Sequence, residues 1–219
     1  TPNKPRKQNT PNKPRKKQTP NTTPKPAVEE LLSLEHVLLR PDSYVGSLEA
    51  LKEKKWVFYS EMQRLVYREI TYVPGLYKIV DEILVNADNK VRDDKMNLIK
   101  VDIDEEGGQI SIFNNGKGIP IEMHNVGKVY VPQLIFSQLF TSPNYDDKEK
   151  KVSGGRNGFG AKLANIYSTE FILETVSMGK KISPNFRNNM TVIEQPIITT
   201  CSKNTGDYTC VIFRPDFQN

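Results

Sequence analysis

Nine residues constrain this chain more than any others. Gly154-Gly155-Arg156-Asn157-Gly158-Phe159-Gly160-Ala161-Lys162 sets four glycines, two cations and an amide directly before the helical run Leu163-Ala164-Asn165-Ile166-Tyr167. Glycines let backbone N–H groups approach an anion closely, a helix N-terminus adds unpaired donors, and Arg156 and Lys162 add charge. The stretch therefore predicts a phosphate-holding loop, against the plainer reading of a glycine-rich turn. Neither common phosphate loop fits it. A Walker loop needs Lys directly after its second Gly, but Ala161 follows Gly160, and Lys162 stands where a hydroxyl should be. A dinucleotide-binding fingerprint follows a buried strand, whereas the polar run 145–151 comes before this one.

A second feature lies upstream, where, after Pro74-Gly75, Leu76, Ile79, Val80, Ile83, Leu84 and Ala87 recur at helical spacing and predict a helix over 76 to about 91 packed on a sheet. They form one apolar face and leave Glu82 and Asn86 one turn apart on another flank. A carboxylate and an amide stacked in this way can orient a water and ligand a hard cation such as Mg²⁺; the competing reading is a solvated polar face. Between the two features, strands over 98–103 and 109–113 lead into Asn114-Asn115-Gly116-Lys117-Gly118-Ile119-Pro120. Glycines at a strand end admit a flat ligand, and Asn114 carries both a donor and an acceptor for it; a plain Asn-Gly turn is the alternative.

The remaining expectations are coarser. The pattern predicts helices over 28–40, stopped by Pro41, and over 131–140, and strands over 56–59, 64–72, 170–176, 191–198 and 208–214. Residues 180–190 are too polar and Asn-rich to place, and the polar run 141–151 suits a lid. Residues 1–27 repeat Thr-Pro-Asn-Lys-Pro-Arg-Lys and hold seven of the fifteen prolines, with no aliphatic residue before Ala27, so they predict a disordered basic tail. Eight of the 31 Lys and Arg and none of the 26 Asp and Glu fall in this tail, so the net charge of +5 hides a mildly acidic body. The clusters Lys4–Lys7 and Lys13–Lys17 suit a nuclear address or a nonspecific DNA contact; a merely solubilising tail is the rival. No apolar run reaches the ~20 residues of a membrane span. Cys201 and Cys210 show neither metal-ligand spacing nor a disulfide framework, which suggests a reduced intracellular protein.

Taken in order, Glu82-Ile-Leu-Val-Asn86, Asn115-Gly-Lys-Gly-Ile-Pro120 and Gly154–Lys162 resemble the ATPase region of eukaryotic DNA topoisomerase II. That family is a relative of gyrase B in the superfamily that includes mismatch-repair proteins, heat-shock chaperones and histidine kinases. Leu34–Asp42, Pro74–Lys78 and Asn144–Asp147 are similar to its intervening signatures, and the resemblance covers about residues 34–178. It implies an α/β two-layer sandwich of helices on a mixed, mainly antiparallel sheet, the Bergerat-type ATP-binding fold, over residues 28–219, without the transducer domain that follows in the family. It also implies ATP and Mg²⁺ as cofactors. Glu82 matches the general base and Asn86 the Mg²⁺ ligand and nucleotide contact. Asn114 matches a nucleotide amide, Ser142 and Asn144 match lid contacts, and Gly155, Arg156, Asn157, Gly158, Phe159, Gly160, Ala161 and Lys162 match the phosphate cradle.

The implied activity is ATP hydrolysis in a nuclear DNA topoisomerase, whose domains close as a homodimer gate around DNA when ATP binds, with no membrane partner. The isolated chain is expected to be a weak ATPase that cannot cleave DNA, because the family's transducer lysine and DNA-cleaving tyrosine lie further on. Three departures bear on this. Asn86-Ala87-Asp88-Asn89-Lys90 is one alanine shorter than the family's run, which rotates later residues by ~100° on a helix. Pro143 replaces a lid serine, and Val28–Leu32 replaces the family's Tyr-Gln-Lys-Lys arm. The alternative function is a nucleotide-gated dimerisation module that binds ATP without hydrolysing it.

Overall fold

The computed structural model describes residues 34–88, 96–124, 128–137, 159–202 and 204–218. The basic tail, the start of the first helix, Asn89, Lys90 and the expected lid lie outside them. Residues 34–39 form helix α1, and Pro41–Ser43 a single 3₁₀ turn. A hairpin follows, β1 (Leu51–Tyr59) and β2 (Arg64–Tyr72), and then α2 (Pro74–Asp88). Next come β3 (Ile99–Asp104), β4 (Gln109–Asn114), α3 (Val131–Ser137) and α4 (Gly160–Ile166). The chain then runs through β5 (Ser168–Ser177), β6 (Lys180–Ser183), β7 (Asn185–Arg187), β8 (Val192–Ile193), β9 (Ile197–Thr200) and β10 (Tyr208–Pro215).

Eight strands make one sheet in the order β3-β4-β10-β5-β6-β9, with β7 pairing β5 and β8. Every pairing among the described strands is antiparallel. Period-two alternation divides the faces of the central strands: Ile110 and Ile112 of β4, Phe171 and Leu173 of β5, and Val211 and Phe213 of β10 are all buried. The helices cover that face, α2 through Ile79, Ile83 and Ala87 and α4 through Leu163, Ala164 and Ile166, giving the expected two-layer sandwich. The Tyr167 hydroxyl closes the far end by donating to the Val37 carbonyl of α1 at 2.6 Å, and burial pushes its pKa up to about 12.

Four expectations are corrected. Leu84, counted on the apolar face of α2, is exposed at the edge of that arc. β1 begins at Leu51 rather than Trp56, since Lys52-Glu-Lys-Lys55 has no apolar alternation and is held as strand by pairing with β2. The strand expected over 191–198 is divided into β8 and β9 around Pro196, which has no N–H for a ladder. The unplaced run 180–190 holds β6 and β7, whose inward residues Ile182 and Phe186 are fully buried.

Candidate functional site

A cavity of about 280 Å³ opens between the helices and the sheet. Its walls are apolar: Ile83 and Ala87 of α2, Ile135 and Phe136 of α3, Ala161 of α4, Ile112 and Val211 of the sheet, and Ile119 with Pro120. Three polar side chains interrupt this lining, Asn86, Asn114 and Thr209. An apolar cleft with a few convergent hydrogen-bonding groups suits a flat, partly polar ligand.

Glu82 and Asn86 stand one turn apart on α2, as their spacing predicts. The Asn86 amide donates to the Glu82 backbone carbonyl at 2.8 Å, and this use of the NH₂ end leaves the Oδ1 end as acceptor. The Glu82 side chain is 18% exposed, and its Oε1 receives an ion pair from Lys78 at 2.5 Å, one turn earlier. That hydrogen bond raises the Lys78 pKa. The other carboxylate oxygen, Oε2, lies against Gly160, where an added Cβ would overlap it. The first residue of α4 and the candidate base are therefore in direct contact, although 78 positions separate them in the chain.

The two adjacent asparagines after β4 have different work. Asn115 is structural: its Oδ1 accepts from the N–H groups of Asn97 and Leu98 at 3.1 and 2.9 Å, and its Nδ2 donates to Asn97 Oδ1 at 2.7 Å. Asn114 is 3% exposed, lines the cavity and accepts from the Gly116 N–H at 3.3 Å. Gly118 tolerates no side chain, because a Cβ would strike the Val176 carbonyl of β5. This close approach lets the buried Ile119 N–H reach Thr175 Oγ1 at 2.9 Å. Thr175 Oγ1 lies 3.2 Å from Thr209 Oγ1, so a buried hydroxyl pair ties the loop to the cavity floor.

Of the expected phosphate cradle, Phe159, Gly160, Ala161 and Lys162 are described. Ser142, Asn144, Gly155, Arg156, Asn157 and Gly158 lie outside the described residues. Phe159 packs on the core and precedes α4, accepting the Leu163 N–H at 2.9 Å. Lys162 is only 1% exposed, and burial pulls its pKa down from 10.5 to about 8. A cation kept in a water-poor place gains most from a nearby anion. Two residues escaped the sequence reading, Lys78 and Thr209. Lys78 had a signal in its i,i+4 spacing to Glu82, and Thr209 in being polar on the inward phase of β10.

The donor set also fits a magnesium ion. Asn86 Oδ1 is a hard neutral oxygen at the rim, the Glu82 carboxylate adds charge one turn below, and Mg²⁺ characteristically keeps most of its waters.

The family model for histidine kinase-, DNA gyrase B- and HSP90-like ATPases matches residues 71–219. The chain is 53% identical over 203 residues to DNA topoisomerase 2 of Candida albicans, a match covering 89% of this chain and 14% of that protein. It superposes with a TM-score of 0.81 and 52% identity on the crystal structure of the ATPase region of Saccharomyces cerevisiae topoisomerase II, covering 84% of this chain and 50% of that one. The 43K ATPase domain of Thermus thermophilus gyrase B, at 22% identity over 88% of this chain and 41% of that one, shares the fold with a TM-score of 0.63. The chain thus spans about one-seventh of the length of the curated relatives it matches.

Proposed function

Since the chain belongs to the histidine kinase-, DNA gyrase B- and HSP90-like ATPase family, we propose that it binds and hydrolyses ATP as the nucleotide-binding part of a type II DNA topoisomerase. The observation that carries this reading is the contact of Glu82 with Gly160, each next in the helices to a residue, Ile83 and Ala161, of an apolar cavity that Asn86, Asn114 and Thr209 also line. The cavity receives the adenine ring between Ile83, Ile112, Ile119 and Val211. Asn114 and Thr209 supply the polar contacts that orient it.

The rim then performs the chemistry. Glu82 accepts the proton of a water that attacks the γ-phosphate, and Lys78 holds the carboxylate in place while it does so. Asn86 would hold Mg²⁺, whose charge would offset that of the phosphates when bound. Lys162 and the glycine-rich run from Gly155 supply positive charge and backbone donors to the phosphates, with Ser142 and Asn144 as contacts from the lid. Binding energy from the adenine end fixes the reacting group, which is most of what phosphoryl transfer asks of a protein. ATP binding closes two copies as a gate around DNA, and the basic tail addresses the protein to the nucleus. Support for these last steps comes from the eukaryotic topoisomerase relatives and the two Lys/Arg clusters.

Calorimetric titration with a nonhydrolysable ATP analogue, with and without Mg²⁺, tests the reading. Wild type should bind at a 1:1 ratio, more tightly with Mg²⁺, and Asn86→Ala should lose the Mg²⁺ dependence. Absence of binding would overturn the proposal. Binding without any Glu82-dependent turnover in the full-length protein would favour the nucleotide-gated dimerisation module instead.

A further inference from the structure

No residue of the hairpin β1–β2 is among those that line the cavity. The hairpin forms a sheet of its own, and none of its residues is buried among the described residues. Nine residues per strand make a ribbon about 30 Å long. Two strands with no third strand or helix over them are marginally stable in water.

Its two faces differ. The half-buried face is internally satisfied: Lys55 pairs with Glu53 at 3.1 Å and lies 4.9 Å above the Tyr72 ring, whose hydroxyl donates to Glu53 at 3.0 Å. The opposite face is open and apolar, with Trp56 at 68%, Phe58 at 57%, Leu65 at 60% and Tyr67 at 55% exposure. A contiguous exposed patch rich in Trp and Tyr is the composition of an interaction surface.

The register shows what fits it. On this face Lys54 sits across from Glu69, Trp56 from Tyr67, and Phe58 from Leu65. Each row thus holds one member of a complementary pair on β1 and the other on β2. A two-fold axis parallel to the strands lays β1 of one copy over β2 of another. Lys54 then faces Glu69 of the second copy, Trp56 its Tyr67 and Phe58 its Leu65, and every contact occurs twice, as an isologous interface requires. Polyanionic nucleic acid fits less well, because Glu69 lies beside the aromatic pair on this same face.

We propose that the open face of the β1–β2 hairpin is a self-complementary contact between two copies of this chain, formed without nucleotide. Two ribbon faces bury less than a standard interface, so the contact is weak and transient. The inference is independent of the nucleotide reading, and its test contains no nucleotide, so either can fail alone.

Trp56 is the only tryptophan in the chain and reports directly. Raising the concentration of the 219-residue chain from about 1 µM to about 1 mM should shift Trp56 emission to the blue, with the mass rising to that of a dimer in sedimentation equilibrium. Lys54→Glu and Glu69→Lys should each weaken self-association about tenfold or more. Their equimolar mixture should recover it as a heterodimer, because each variant then meets opposite charge on its partner. A role confined to the hairpin's own stability cannot produce that recovery. A monomer with concentration-independent emission up to about 1 mM, or a mixture no more associated than its components, would overturn the proposal. So would an emission shift produced by duplex DNA and not by protein concentration.

Discussion

Gly160 and Glu82 touch: the Cα of the first α4 residue lies so close to Oε2 that a single added methyl group would overlap it. The contact sets the carboxylate from one side while the Lys78 ion pair sets it from the other. Gly160→Ala should therefore push the Glu82 side chain off its position. Oε2 and Cδ belong to the end of a flexible side chain, and the Glu82 Cβ, 3.2 Å from the added methyl, has to give only slightly, so the loss of stability should be about 1 kcal/mol. A shift of about 1 Å in a catalytic group costs roughly 10²-fold in rate. Steady-state ATP turnover should fall by that order with the melting temperature nearly unchanged. A turnover equal to wild type would show that Glu82 is not the base.

Lys78→Met should separate orientation from binding. The ammonium contacts Glu82 and Asp81 but does not line the cavity. Removing it frees one carboxylate oxygen, so kcat should fall about tenfold while KM for ATP stays within about twofold. A rise in KM with kcat unchanged would instead make Lys78 a nucleotide contact.

Much of this arrangement was legible in the chain. The i,i+4 pair on α2 needed only helical periodicity, and the cavity-facing Asn114 followed from the strand leading into Asn114-Asn115-Gly116. What one-dimensional reading could not give was the closure between them. That Gly160 is the glycine pressed against Glu82 depends on how α4 packs on α2. That Asn115 is a brace rather than a ligand depends on where Asn97 and Leu98 arrive. β6 and β7 were hidden because strands of four and three residues with a single buried residue each carry almost no periodic signal. The shortened run after Asn86 remains an argument from sequence: α2 is helical through Asp88, and Asn89 and Lys90 lie outside the described residues.

Thr175→Val tests the hydroxyl pair beneath the cavity. Thr175 is fully buried; its Oγ1 accepts from the Ile119 N–H at 2.9 Å and lies 2.9 Å from the Tyr208 carbonyl. Valine keeps the shape and leaves the Ile119 N–H without its acceptor, which costs about 1–3 kcal/mol. For a domain of this size that lowers the melting temperature by roughly 3–10 °C. Because Thr209 loses its buried neighbour as well, affinity for the ATP analogue should fall about three- to tenfold. An unchanged melting temperature would mean that the loop is held by other contacts.

If Lys162 meets the phosphates as proposed, nucleotide binding should depend on pH, and the sign follows from its environment. Its pKa in the folded chain is about 8, below 10.5, because burial disfavours the charged form. Below pH 8 the side chain is protonated whether folded or unfolded, and the cost of burying the charge is fully present. Between 8 and 10.5 the folded chain has released a proton that the unfolded chain retains, so Lys162 contributes rising stability across that window. A polyphosphate beside the ammonium favours the charged form and moves its pKa back up. Near pH 9 the ATP analogue should therefore bind with uptake of up to about one proton. Calorimetry in two buffers of different ionisation enthalpy measures that number directly. Lys162→Met should bind more weakly at pH 7, lose the uptake at pH 9, and remove the gain in stability between pH 8 and 10.5. If the variant took up as many protons as wild type, the titrating group would lie elsewhere, and Lys162 would not be the cation that meets the phosphates.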